Sequence, residues 1–153
     1  MIEKLNNKNE DISRQIRSVF QASYKVEAEL LNVTDFPPLN RKLVDFQNTN
    51  TEFYGFFKGE TIAGVIEVSH QKSLTDIESL VVHPEYFRQG IGKQLVKFVL
   101  SAFHSGLFTV ETGTKNEPAI KLYTQLGFQE QEKWDTESGI RKIRLKLITH
   151  SIM

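Results

Sequence analysis

The run His83-Pro84-Glu85-Tyr86-Phe87-Arg88-Gln89-Gly90-Ile91-Gly92 joins an apolar strand pattern to an apolar helix pattern. Gly90 and Gly92 permit unusual dihedrals and close backbone approach. A helix that opens on such a turn leaves its first N–H groups unpaired, and a phosphate suits them as acceptor. Arg88 and Lys93 add positive charge at the rim. A purely structural turn explains two glycines as well. The spelling excludes two common nucleotide sites: there is no GxxxxGK[ST], and no complete GxGxxG follows the first strand.

Two further side chains have chemical potential. Glu78 stands in Asp76-Ile77-Glu78-Ser79-Leu80. Strict alternation puts it on the face of Leu80 and Val82, where partial burial would raise its pKa and make it a better proton acceptor. A solvated strand glutamate is the competing reading. Tyr123 is in helical phase with Ile120, as a core aromatic would be. The 153 residues hold no cysteine. That excludes a disulfide framework, a thiolate nucleophile and a cysteine-ligated metal. His70, His83, His104 and His150 form no pair at ligand spacing, so no metal is expected. His83 precedes Pro84 and shapes a turn; the other three have no motif around them.

Nineteen Lys plus Arg balance nineteen Asp plus Glu. Zero net charge argues against a broad nucleic-acid-binding face but allows a local phosphate grip. No apolar run approaches the roughly 20 residues that span a bilayer, and MIEKLNNKNEDI carries no secretion segment. The expectation is a cytoplasmic protein without nucleic-acid or membrane partners. Length and composition fit one domain over residues 1–153.

The elements that must position these residues follow from periodicity. Ile2 to Leu5 reads as a strand. Asn9 or Asp11 caps a helix with Ile12, Ile16, Val19 and Phe20 on one face. Tyr24 to Leu31 is helical too, and Pro37-Pro38 interrupts it. Leu39, Leu43 and Phe46 keep helical spacing. Strands at 52–57, 61–69 and 74–82 then form an antiparallel meander. A helix with Leu95, Val99 and Phe103 on its core face runs to Gly106, followed by a strand at 107–111. Asn116 caps a helix ending at Gly127, before a strand at 128–134. Ile143, Leu145 and Leu147 alternate with Arg144 and Lys146 in a last strand. The fold class is α+β, with one parallel crossover after the meander.

Two ordered blocks resemble the Gcn5-related N-acetyltransferase (GNAT) superfamily. The first runs from Val81 to Leu95 and contains Arg88-Gln89-Gly90-Ile91-Gly92. The second runs from Glu111 to Phe128 and contains Asn116, Ala119, Tyr123 and Gly127-Phe128. The resemblance implies a mixed, mainly antiparallel central sheet flanked by helices, with a splayed central strand pair. It also implies acetyl-coenzyme A as acetyl donor. The pyrophosphate would lie over Arg88, Gln89, Gly90, Ile91, Gly92 and Lys93, and the pantetheine arm beside Leu80, Val81 and Val82. Asn116 would be helix cap and cofactor neighbour. One position departs from the pattern: Phe87 stands where the family has Gln or Arg, and Arg88 is the replacement.

The implied reaction is direct acetyl transfer to a primary amine of a small molecule or peptide. Tyr123 falls where the family has a tyrosine that protonates the departing thiolate, and Glu78 is the candidate base. Glu67 and Glu111 are rivals for that role. Tyr24, Glu27, Phe36, Tyr54 and Trp134 are expected to line the acceptor pocket. A non-catalytic acyl-coenzyme A sensor or interaction module is the alternative. The last strand, if exposed, would support a homodimer.

Overall fold

Polar caps and apolar periodicity set the first helix. A computed structural model describes residues 1–149; His150 lies outside them. After strand β1 (Ile2–Leu5), Asn9 accepts a hydrogen bond from the Ile12 N–H at 3.0 Å and starts α1 (Glu10–Leu31). The two helical segments read from the sequence are one continuous 22-residue helix, ended by Asn32 at φ 55°. A 3₁₀ turn (Pro37–Asn40) and α2 (Leu43–Asn48) lead into the meander β2 (Glu52–Lys58), β3 (Thr61–Gln71) and β4 (Leu74–Val82). The crossover helix α3 (Ile91–Ala102) then delivers β5 (Leu107–Gly113) parallel to β4. Helix α4 (Glu117–Gln125) and the hairpin β6 (Gln129–Asp135) and β7 (Arg141–Ile148) complete the chain order.

The seven strands form one sheet in the order β1-β2-β3-β4-β5-β7-β6, and β4–β5 is its parallel pair. Helices cover both faces. On one face, Ile16, Val19 and Phe20 of α1 and Phe46 of α2 bury Phe53, Val65 and Val81. On the other, Leu95, Val96 and Val99 of α3 and Tyr123 of α4 bury Ile66, Ile77, Phe108 and Leu145. This is the layered α+β sheet that the sequence predicts.

Three details differ from the periodic reading. Helix α3 stops at Phe103, whose backbone is extended and whose ring packs on Tyr54 and His70; Gly106 instead donates to the Ser73 carbonyl at 2.9 Å and opens β5. The last strand is not an exposed edge: β7 pairs with β5 and β6 on its two sides, and β6 is the edge. The third concerns Glu78. In the β3–β4 ladder Glu67 pairs with Ser79 and Val68 with Ile77, so Glu78 is an extra, unpaired residue. Such a bulge breaks alternation. Glu78 therefore does not share a face with Leu80 and Val82; Ile77 does, and packs with them towards α3.

Candidate active site

Strands β4 and β5 pair only from Leu74–Leu107 to Ile77–Val110. Beyond that point they separate, and a cavity of about 280 Å³ opens at the fork. Glu78, Ser79 and Leu80 line one wall, and Glu111, Thr112 and Gly113 the other. Tyr24 and Glu27 of α1 and the Phe36–Arg41 segment close it from the α1 side, while Asn116, Ala119 and Tyr123 of α4 line its other end. A main chain that leaves a sheet ladder keeps N–H and C=O groups that seek partners. The fork thus turns main-chain N–H and C=O groups without a β4–β5 ladder partner towards the cavity.

The electrostatics of the cavity are set by burial. Tyr123 is 2% exposed, with its ring edge-on to Phe128. Burial pushes its phenol well above the ordinary tyrosine range, so the hydroxyl stays protonated at neutral pH and is available as a donor. Burial likewise raises the Tyr24 phenol, which is hydrogen-bonded with Ser79. The Glu78 carboxyl is raised by desolvation, opposed by the Ser69 hydroxyl that donates to it at 2.7 Å. The Glu27 carboxyl is also raised by burial, with Lys142 and a hydrogen bond with Asn116 pulling it back.

The carboxylate buried most deeply beside the cavity is fully committed. Glu67 is 2% exposed and accepts two hydrogen bonds from Arg41, at 2.8 and 2.9 Å, one from Thr51 at 2.6 Å and one from Ser79 at 3.0 Å. The Arg41 guanidinium also lies 4.1 Å from the Phe46 ring centroid. This network fixes the segment that roofs the cavity, and it occupies Glu67 structurally. Glu111 lines the cavity but is bound by Arg144, which also holds Glu132 at 3.0 Å.

The glycine turn sits where β4 hands over to α3. His83 Nδ1 accepts from the Glu85 N–H at 3.2 Å, which sets the 3₁₀ turn Pro84–Tyr86. Arg88 and Gly90 both have left-handed backbones, at φ 64° and 76°. The first helical bond runs from the Gln94 N–H to the Gly90 carbonyl at 3.0 Å, so the amides of Ile91, Gly92 and Lys93 precede the ladder. A Cβ on Gly92 would stand 3.3 Å from Leu122, so this glycine lets α4 approach α3 closely. Alternating backbone hands and amides that precede the ladder are the features from which anion-binding concavities are built.

The sequence profile of the acetyltransferase (GNAT) family matches residues 14–128. The chain belongs to the GNAT acetyltransferase family. This GNAT chain is 36% identical to the UPF0157 protein YqkA of Bacillus subtilis over 92% of its own length, but spans only 41% of that relative. It is 29% identical to the N-alpha-acetyltransferase RimI of Mycobacterium tuberculosis over 74% of each chain. Among solved structures, the Escherichia coli ribosomal-protein-S18-alanine N-acetyltransferase superposes with a TM-score of 0.77, covering 100% of this chain and 98% of that one at 18% identity. The PaiA N-acetyltransferase of Thermoplasma acidophilum, solved with coenzyme A, gives 0.74, covering 96% and 98% at 18% identity. These two likenesses speak to the fold.

The GNAT sheet brings Tyr123, Glu78, Leu80 and Asn116 to one cavity, together with Tyr24, Glu27 and Phe36. Val81 is buried on the α1 side, and Val82 packs towards α3 below the glycine turn. Two expected pocket residues lie elsewhere. Tyr54 projects to the α3 face, against Phe98 and Phe103, with its hydroxyl donating to Glu52. Trp134 sits on edge strand β6 beneath the Arg144 guanidinium. A strand aromatic faces one side or the other by register, and these two registers lead away from the cavity. The sequence reading missed Arg41 and Lys142. Arg41 finds Glu67 across 26 residues, and no local pattern signals that pairing.

Proposed function

We propose that this chain transfers an acetyl group from acetyl-coenzyme A to a primary amine of a small molecule or peptide, within one domain that includes residues 1–153. The carrying observation is that Glu78 and Tyr123 line a single cavity at the β4–β5 fork. The residues present fit the donor. The amides at the start of α3, with Arg88 and Lys93 beside them, suit a pyrophosphate. The unpaired edge of Leu80–Val82 suits the amides of a pantetheine arm, and Asn116 stands next to it. Bound acetyl-coenzyme A supplies the acetyl group as an activated thioester.

The rest is work for the chain's own groups. Glu78 accepts the proton that the acceptor nitrogen must lose as its N–C bond forms. Its raised pKa improves the match to an amine. Main-chain N–H groups at the fork donate to the carbonyl oxygen as negative charge develops there. Tyr123 donates its proton to the sulfur as the C–S bond breaks. Direct transfer requires no protein nucleophile, consistent with a chain lacking cysteine. The RimI relative is named for α-amine acetylation, and that supports an amine acceptor.

Calorimetric titration with coenzyme A, followed by an acceptor screen read by acetyl-coenzyme A-dependent mass gain, tests the proposal. Saturable binding with transfer supports it. Binding without transfer to any amine or peptide would favour a non-catalytic acyl-coenzyme A module. Absence of binding would overturn both.

A further inference from the structure

The charged groups around the cavity are not equally committed. Arg41 is held by Glu67, Glu78 by Ser69, and Glu111 by Arg144. Lys142 differs. It lines the cavity and is partly buried, yet among the described residues it forms no salt bridge within 4.0 Å. Its neighbours on β7 show the contrast: Arg141 is paired with Asp135, and Arg144 with Glu111 and Glu132.

The register explains why the Lys142 ammonium is left to the cavity. Its cross-strand partner on β5 is Gly113, which offers no side chain to meet it. Gly113 is backed by Leu31 of α1, close enough that a Cβ there would fall 2.6 Å from Leu31 Cδ2. No carboxylate can be introduced beside Lys142 at that position. The opposing charge is Glu27, which feels Lys142 electrostatically but is hydrogen-bonded with Asn116. A positive and a negative group thus share one chamber without closing on each other.

We infer that Lys142 reads a carboxylate on the acceptor, so that the preferred acceptor is an amine carrying a carboxylate close to its nitrogen, as in a free α-amino acid. The inference rests on the acetyl-transfer reading and narrows it. The acceptor's carboxylate takes the lysine's three donors, and its nitrogen is left facing Glu78 and Tyr123. Selectivity arises from both sides. An acid gains the charged contact, and an uncharged analogue leaves a partly buried ammonium without its anion.

The test uses the full chain, the standard α-amino acids and the carboxamide of each, with an alanine-terminated peptide as a further acceptor. kcat/KM is measured for wild type, Lys142→Gln and Lys142→Arg, with coenzyme A affinity measured in parallel. The expected result is an acid-to-amide preference of about tenfold or more in wild type, carried mainly by KM. That preference should collapse towards one in Lys142→Gln and be largely retained in Lys142→Arg. Equal use of acids and amides by wild type overturns the inference. So does faster acetylation of the peptide than of every free acid, or an equal loss on acids and amides in Lys142→Gln. Intact coenzyme A binding with no acetylated acid overturns this inference alone, while loss of coenzyme A binding in wild type overturns the underlying reading as well.

Discussion

Ile77 and Val110 are the last residues that β4 and β5 share. The next residue on each strand is a glutamate, Glu78 and Glu111, and the two chains part there. The fork therefore begins with a carboxylate on each lip. They differ in environment: Glu78 is raised in pKa by desolvation, and Glu111 is tied to Arg144.

Tyr123→Phe should lower kcat by about 10²-fold, the lower range for a lost general acid. Coenzyme A affinity should change less than threefold, because the ring and its contact with Phe128 remain. Pre-steady-state thioester cleavage with a productive acceptor checks this. Unchanged cleavage would remove Tyr123 from the chemistry.

Glu78→Gln should erase the acidic limb of the pH–rate profile. A base acts only when deprotonated, so activity in wild type rises with pH through its pKa. Desolvation moves that limb above the usual carboxylate range. A limb that persists in Glu78→Gln but disappears in Glu111→Gln would transfer the role to Glu111.

Glu27→Gln should stabilise the fold at pH 7, because burial disfavours the charged carboxylate there. The sign follows from the raised folded pKa: the native state holds the proton more tightly, so wild type loses stability as pH rises through that pKa. Below the unfolded value, near 4.5, the advantage of the variant should vanish. Denaturant unfolding at several pH values measures it.

Arg41→Met should cost about 3–5 kcal/mol, because it strands the buried Glu67 carboxylate. Adding Glu67→Gln should recover much of that loss, since the uncompensated charge is gone. Urea denaturation of both single variants and the double variant gives the coupling.

Gly90→Ala should cost about 1 kcal/mol through its φ of 76° and should also weaken coenzyme A binding. Gly59→Ala is the matched control. It shares a positive φ of 63° and open space around the added methyl, but sits in the β2–β3 turn. It should lose similar stability with cofactor affinity intact by calorimetry.

The elements were legible wherever local chemistry decides them. Asn9 and Asn116 cap helices as their positions suggest, and the glycines mark the start of α3. Tyr24 and Glu27 line the cavity from the 22-residue α1. The unread features depend on partners distant in sequence. Strict alternation placed Glu78 on the wrong face because the β3 register, and nothing near position 78, creates the bulge. Tyr54 and Trp134 were assigned by residue type, whereas strand register decides their side. Lys142 was not singled out from the sequence, because only the register shows that its opposite number is Gly113.

The extra residue in β4 also uncouples a side chain's face from its position number along the strand. Ile77 packs with the α3 cluster and Val81 with the α1 cluster, four positions apart on one strand. Strict alternation over four positions would put those two side chains on the same side; the bulge at Glu78 puts them on opposite ones. Excising Glu78 would thus subtract the carboxylate and place Ser79 directly after Ile77, opposite Glu67 and Val68 respectively, with the inside and outside of both halves of the strand unchanged. What the position adds is therefore not a register but a single carboxylate, carried at the point where the fork opens.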